Sequence, residues 1–216
     1  MLRVASCACL IAGLVVPLGA GVPLVPPVVL TVILDFKGPH SQTSLKEMKR
    51  ESGMILSSSG VSLDWRILGK DSPESSNDLV VMMFKGACDY ELAPEADDEP
   101  GPLAMARTVN GEVQPFGEVD CDRVVNSARN AMSGSDHFRA DQLIGRAMGR
   151  VVAHELVHML TKSGQHGVEG VEKPALSGKQ LIGGYLPLAA LDVDRLKQEL
   201  QHRLNTGTKW TPVNLD

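Results

Sequence analysis

Apolar residues in the first part of the chain are grouped in short runs that alternate with polar segments. Residues 28–36 are rich in β-branched and other apolar side chains, which is typical of a buried strand. Residues 61–68 and 79–84 have a similar pattern and predict two further strands. Between the first two runs the apolar spacing is helical and ends at a polar segment, which predicts a helix whose apolar side carries Leu45, Met48, Ile55 and Leu56.

The middle of the chain is interrupted by turn residues. Residues 69–77 form a polar turn region, and the acidic, proline-containing segment 88–102 is expected to be a loop. Residues 104–109 and 111–119 flank Asn110-Gly111, the strongest short turn signal in the chain. We expect these two segments to form a hairpin at the edge of a sheet.

From Asp122 onward the pattern becomes helical, with a break at residues 133–135. A long helix is expected from Asp141, which can cap its start, through Thr161. Gly164 suits the position after its end, where a left-handed residue is often needed. Residues 191–204 predict a final amphipathic helix.

The long helix carries His154-Glu155-Leu156-Val157-His158. Residues four apart on a helix lie on one face, roughly 6 Å apart along the axis. Both imidazoles can therefore reach one zinc ion, and Glu155 is close enough to take a proton from a metal-bound water without being a ligand. This is the H-E-x-x-H arrangement of zinc metallopeptidases.

The residues around the motif are uncharged, both in the flanks 151–153 and 159–160 and at the two internal positions. A helix of this composition is expected to be buried, and buried polar groups need partners. A metal ion would satisfy both histidines and the glutamate. The alternative is a core helix whose histidines are hydrogen-bonded to the backbone.

Composition narrows the class of protein. A chain of 216 residues with 43% hydrophobic and 22% charged residues suits one soluble globular domain. The net charge of -5 and the absence of a Lys/Arg cluster give no reason to expect nucleic acid. The motif, and not the composition, implies a peptide or protein substrate, and we expect a monomer.

Residues 1–20 have the features of a secretory signal peptide: Arg3, an apolar stretch 4–16 and small residues ending at Ala20. Cleavage would leave 21 − 1 = 20 basic and 26 acidic residues, a net charge of -6, in a single domain 21–216. An uncleaved membrane anchor is the alternative, but four prolines interrupt the apolar run: Pro17, Pro23, Pro26 and Pro27. We therefore expect a secreted or other extracytoplasmic protein without stable membrane insertion.

Four cysteines occur in the chain, and Cys7 and Cys9 would be lost with the signal peptide. Cys88 and Cys121 remain as a pair in an exported chain, so a disulfide between them is expected. Two separate buried thiols are the alternative.

The order of these elements, ending in a long helix with H-E-x-x-H, resembles the zincin catalytic domain, and more narrowly the metzincins or archaemetzincins. The resemblance covers roughly residues 28–166, but only 151–166 is motif-specific. It implies an α+β fold with a small twisted mixed sheet packed on the active-site helix. It also implies a Zn²⁺ cofactor and a peptidase activity with Glu155 as general base.

The third metal ligand departs from the family pattern. Metzincins place a histidine six residues after the second one, with a glycine halfway, and this chain has Gly164 and Thr161 there. His166, in a glycine-flanked turn two residues later, is the predicted third ligand beside His154 and His158. Acidic alternatives also remain: Glu169, Glu172 and Asp192.

A second departure concerns the methionine-containing turn that metzincins have beneath the metal. No methionine follows Met159 in this chain, and residues 173–177 are expected to occupy that place. Three classes of function stay open at this point: an exported zinc endopeptidase, a non-catalytic zincin-like protein that binds a metal or a partner, and a structural exported protein with a chance motif.

Overall fold

The computed structural model describes residues 28–71, 78–95 and 101–207. The expected signal peptide 1–20 lies outside the described residues, as do parts of the expected turn region 69–77 and loop 88–102. Among the residues described, no helix is both long enough and apolar enough to cross a membrane.

Five strands form one mixed sheet, which confirms the predicted fold class. They are β1 (Val28–Phe36), β2 (Val61–Ile67), β3 (Leu79–Lys85), β4 (Ala104–Val109) and β5 (Glu112–Asp120), in the order β2-β1-β3-β5-β4. The first four strands in that order are parallel, and β4 lies antiparallel to β5 at one edge. The predicted strands and the edge hairpin are thus present, with boundaries shifted by at most one residue.

The hairpin turn has the conformation that its sequence predicts. Asn110 and Gly111 both have positive φ, 52° and 84°, as a two-residue type I′ turn requires. Farther along, the register of β4 against β5 shifts between Ala106 and Thr108, opposite a stretch that contains Pro115. Proline cannot donate a ladder hydrogen bond, so an irregularity is expected at this point.

The described residues also form five α-helices: α1 (Gln42–Ser57), α2 (Cys121–Ala131), α3 (Ala140–Thr161), α4 (Gly178–Ile182) and α5 (Ala190–Thr206). The predicted long helix is α3, and most of its residues are buried. The short α4 was not predicted, because five residues are too few to show helical periodicity.

Helices α1 and α3 pack with their backbones close together. A Cβ atom at Gly149 would lie 2.7 Å from the Cβ of Glu51, and one at Gly145 would overlap the backbone carbonyl of Ser44. Glycines four residues apart therefore give α1 access to the surface of α3. This contact fixes the helix that carries the histidine motif.

Two expectations about the ends of α3 were wrong. Its N-cap is Arg139, and Asp141 lies in the first turn, where its carboxylate accepts a hydrogen bond of 2.6 Å from Ser41 Oγ. At the other end the left-handed residue is Lys162, with φ of 47°, rather than Gly164. The last helical residue is Thr161, as expected, and only the residue that takes the left-handed conformation differs.

Cys88 and Cys121 form a disulfide, with their Cα atoms 4.8 Å apart, as the sequence predicted. The bond joins the segment after β3 to the first residue of α2.

Candidate metal centre

His154 and His158 project from the last two turns of α3, and each is held by a backbone carbonyl from the chain that follows. The Nδ1 atom of His154 lies 2.9 Å from the carbonyl oxygen of Val171, and that of His158 lies 2.7 Å from the carbonyl oxygen of Ser163. A carbonyl can only accept, so both Nδ1 atoms must carry a hydrogen. The chain thereby sets the orientation and tautomer of both rings.

The other ring nitrogens of the two histidines face each other. Their Nε2 atoms are 3.0 Å apart, and in the neutral tautomer with Nδ1–H each of them offers a lone pair. Burial lowers the pKa of His154. Burial, together with the neighbouring His154, lowers the pKa of His158 to about 4. Both rings are therefore neutral near pH 7, and two converging lone pairs are the donor arrangement that suits a zinc ion.

His166 completes the group from the loop after α3. Its ring centroid lies 5.1 Å from that of His154 and 4.8 Å from that of His158. One nitrogen from each of the three rings falls within 4.8 Å of the others. Within the described ranges, no other set of three or more His, Cys, Asp or Glu side chains meets in this way.

The acidic alternatives lie elsewhere. Glu172 approaches His154 from the Nδ1 side, with its Oε1 3.6 Å from that nitrogen, and Asp192 lies in the same buried region. Glu169 is exposed and belongs to no such group among the described residues. The structure thus brings together the three histidines singled out from the sequence, whereas Glu172 approaches His154 through Nδ1 and not through the Nε2 atom that faces His158.

Glu155 lies beside the histidines and is only 5% exposed. Burial raises the pKa of its carboxyl to about 7, although a hydrogen bond from the backbone of Ala106 in β4 opposes the shift. A carboxyl with a pKa near neutrality can both accept and return a proton, which general acid–base catalysis requires.

The histidines and Glu155 line an open cleft of about 960 Å³. Residues 101–106, at the start of β4, and residues 173–178 also line the cleft. The first half of α2 completes the lining. Residues 173–177, expected in place of a methionine-containing turn, therefore border the cleft.

A buried acidic cluster lies behind His154. Glu172 is 0% exposed, and its Oε2 is 3.8 Å from the guanidinium of Arg195 in α5. Burial, and then the neighbouring Asp192, raises the pKa of Glu172 to about 9. Sequence reasoning considered Glu172 and Asp192 as ligands and did not consider Arg195.

Other features of the site carried no sequence signal. Val171 and Ser163 hold the histidine rings through backbone carbonyl groups, which every residue has. Their residue types therefore could not indicate this role. Ala106 likewise contributes through its backbone, and only the prediction of an edge hairpin indicated that β4 would be exposed to a ligand.

No protein-family model matches the sequence, and no curated protein matches it. Among solved structures, the chain is similar to the crystal structure of archaemetzincin from Methanopyrus kandleri. The sequence identity is 11% and the TM-score is 0.47, over 83% of this chain and 99% of the archaemetzincin chain.

Proposed function

We propose that this protein is an exported zinc-dependent endopeptidase. The observation that carries the proposal is the convergence of His154, His158 and His166 beside the buried carboxyl of Glu155 in an open cleft. If the helix had only a structural role, two buried Nε2 atoms that face each other without a hydrogen between them would cost free energy.

His154, His158 and His166 would hold the zinc ion through their free ring nitrogens. Three protein ligands with one position left open are typical of catalytic zinc, whereas structural zinc has four protein ligands. Zinc in such a site lowers the pKa of water to about 7 and polarises a peptide carbonyl.

Glu155 is the proposed general base. It lies next to His154 in the chain and faces the cleft, so its carboxylate can take the proton of the attacking water. The same carboxyl then gives the proton to the leaving amine, and it ends the cycle ionised. Its pKa of about 7 suits both steps.

A peptide can bind along β4 as an added strand. Among the strands that the structure describes, β4 pairs only with β5, and the segment 101–106 lines the cleft. An extended peptide that adds to a sheet edge is bound through its backbone hydrogen bonds, so binding in this way does not depend on its side chains. A peptide bound in this way would have a peptide bond next to Glu155, because Glu155 contacts the backbone of the same strand.

The test is hydrolysis of a fluorescently labelled, unfolded protein, together with zinc content. Glu155→Gln should lower the rate about 10²–10⁴-fold, because proton transfer is lost, while zinc remains bound. Glu169→Gln is the matched control: it removes an exposed acid from the loop beside the site and should leave the rate unchanged. A Glu155→Gln variant as active as the wild type would refute the proposed mechanism. Zinc binding without any hydrolysis by the wild type would instead identify a non-catalytic metal-binding protein.

Export is a separate part of the proposal. The disulfide is compatible with an oxidising compartment, and the first twenty residues have the pattern of a signal peptide. N-terminal sequencing of secreted protein should show a chain that begins close to residue 21. Secreted protein that retains Met1 would contradict cleavage.

A further inference from the structure

The buried acidic cluster behind His154 connects the metal centre to α5. Glu172 lies between the His154 ring and α5, 3.6 Å from His154 Nδ1 and 3.8 Å from an amino nitrogen of Arg195. Arg195 in turn donates to Asp192 at 3.3 Å, one turn earlier in the same helix. A continuous chain of polar contacts therefore runs from α5 to one of the proposed ligands.

This cluster is poorly satisfied by hydrogen bonds. Among the described residues, neither carboxyl oxygen of Glu172 has a hydrogen-bond partner, and the same holds for Asp192 Oδ2. Burying such groups without partners costs free energy, so their presence calls for a role other than stability. Their position against His154 indicates a role at the proposed metal site.

The same cluster also lies beneath the turn that carries His166. The backbone N–H of Gly167 donates to the carbonyl oxygen of Glu172 at 2.9 Å. A Cβ atom at Gly167 would lie 2.5 Å from Asp192 Oδ2. The residue after His166 must therefore be small, because the turn rests directly on the carboxylate of Asp192.

We infer that Glu172, Asp192 and Arg195 are positioning residues that hold His154 and His166 in the arrangement that binds zinc. Glu172 limits the movement of the His154 ring, and Asp192 sets the position of the turn that presents His166. Residues that orient metal ligands typically change metal affinity about 10–100-fold when they are replaced. The inference rests on the proposed zinc site, and it places part of the control of zinc affinity in a helix outside the cleft.

Two glycines that flank His166 provide the first test. Gly167→Ala would push the turn away from Asp192, whereas a Cβ at Gly164 meets nothing within 4 Å. With zinc affinity measured by competition against a chromophoric chelator, Gly167→Ala should bind about 10–100-fold more weakly. Gly164→Ala should bind as the wild type does.

Arg195 provides a second test that does not depend on the turn. Arg195→Met keeps most of the aliphatic stem but removes the guanidinium, and Lys197→Met is the matched control at an exposed position of α5. Arg195→Met should weaken zinc binding and alter the visible spectrum of the cobalt-substituted protein. Arg195→Lys should restore part of the affinity, and Lys197→Met should change neither property.

The outcomes separate this inference from the proposed function. Wild-type zinc affinity and cobalt spectra in both Gly167→Ala and Arg195→Met would overturn the inference, even if thermal stability fell, because the cluster would then be structural only. A wild-type protein that bound no zinc would overturn the metal site itself, and the inference with it.

Discussion

Two buried polar clusters contact α3 about one helical turn apart, and they differ in how completely they are hydrogen-bonded. Around Arg150, which is 1% exposed, the guanidinium donates to Glu51 Oε1 at 2.8 Å and to three carbonyl oxygens. Those carbonyls belong to Gln180, Gly183 and Gly184. Around Glu172, by contrast, neither carboxyl oxygen has a hydrogen-bond partner among the described residues.

The difference separates a cluster that the fold completes from one that we propose to act on the metal site. The Arg150 cluster is complete within the protein and fixes α1 and α4 against α3. The Glu172 cluster lies next to three histidines, and two of them face each other through Nε2 atoms 3.0 Å apart. Polar groups that are satisfied by the fold hold it together, and those left unsatisfied mark the place where a ligand is expected.

The largest effect is expected at Arg150. Arg150→Met removes the donor to Glu51 Oε1 and to the Gln180 and Gly184 carbonyls, although Arg50 still contacts Glu51 and Arg146 still donates to Gly183. Breaking a buried ion pair costs about 3–5 kcal/mol. Denaturant unfolding of the metal-free protein should show this loss. Arg139→Met, which removes an exposed ion pair, should stay within about 0.5 kcal/mol of the wild type. Equal losses in the two variants would remove the distinction between a structural cluster and an ordinary surface pair.

A smaller effect is expected where α1 meets α3. Gly149→Ala places a Cβ 2.7 Å from Glu51 Cβ, and overpacking of this kind costs about 1–3 kcal/mol. Gly53→Ala is the control in α1: its Cβ would meet nothing within 4 Å, and alanine should stabilise the helix by about 0.5–1 kcal/mol. Unfolding midpoints that shift in the same direction for both variants would contradict the close packing of the two helices.

The pH dependence of hydrolysis is expected to follow Glu155. The raised pKa means that the carboxyl is protonated, and unable to act as base, below about pH 7. The value of kcat/KM should therefore rise toward pH 7 and fall about tenfold for each pH unit below it. Zinc content must be measured at each pH, because protons compete with zinc for the histidine nitrogens. The pKa of His158 is lowered to about 4, so protons compete at this residue only at lower pH. A constant rate from pH 5 to pH 7 would contradict a raised pKa of Glu155 in the zinc-loaded protein, where the charge of the metal favours the ionised carboxylate.

The structural features behind these predictions differ in how far they could be predicted from the sequence alone. The β1 strand, the Asn110 turn and the pairing of His154 with His158 follow from local patterns, because periodicity and turn chemistry depend on neighbouring residues. The glycine-flanked setting of His166 predicts a turn at Gly164, whereas in the structure the chain turns at Lys162. The helix ends at Thr161, and the left-handed Lys162 turns the chain so that His166 lies beside the other two histidines.

The contacts that connect distant segments could not be predicted. The Glu172 cluster joins Glu172 to residues of α5 that are twenty or more positions away. Arg150 contacts residues of both α1 and α4. Such contacts arise from tertiary packing, which leaves no periodic signal in the sequence. The sequence could indicate that these charged residues needed partners, but not which partners the fold would supply.

The central claim is that the three histidines bind one zinc ion, and calorimetric titration of the metal-free protein with Zn²⁺ tests it most directly. The wild type should bind one ion per chain, and His158→Ala should lose that binding because a ligand held by the Ser163 carbonyl is removed. His137→Ala, which changes an exposed histidine paired with Tyr90, should bind zinc as the wild type does. No zinc binding by the wild type, or undiminished binding by His158→Ala, would contradict the account.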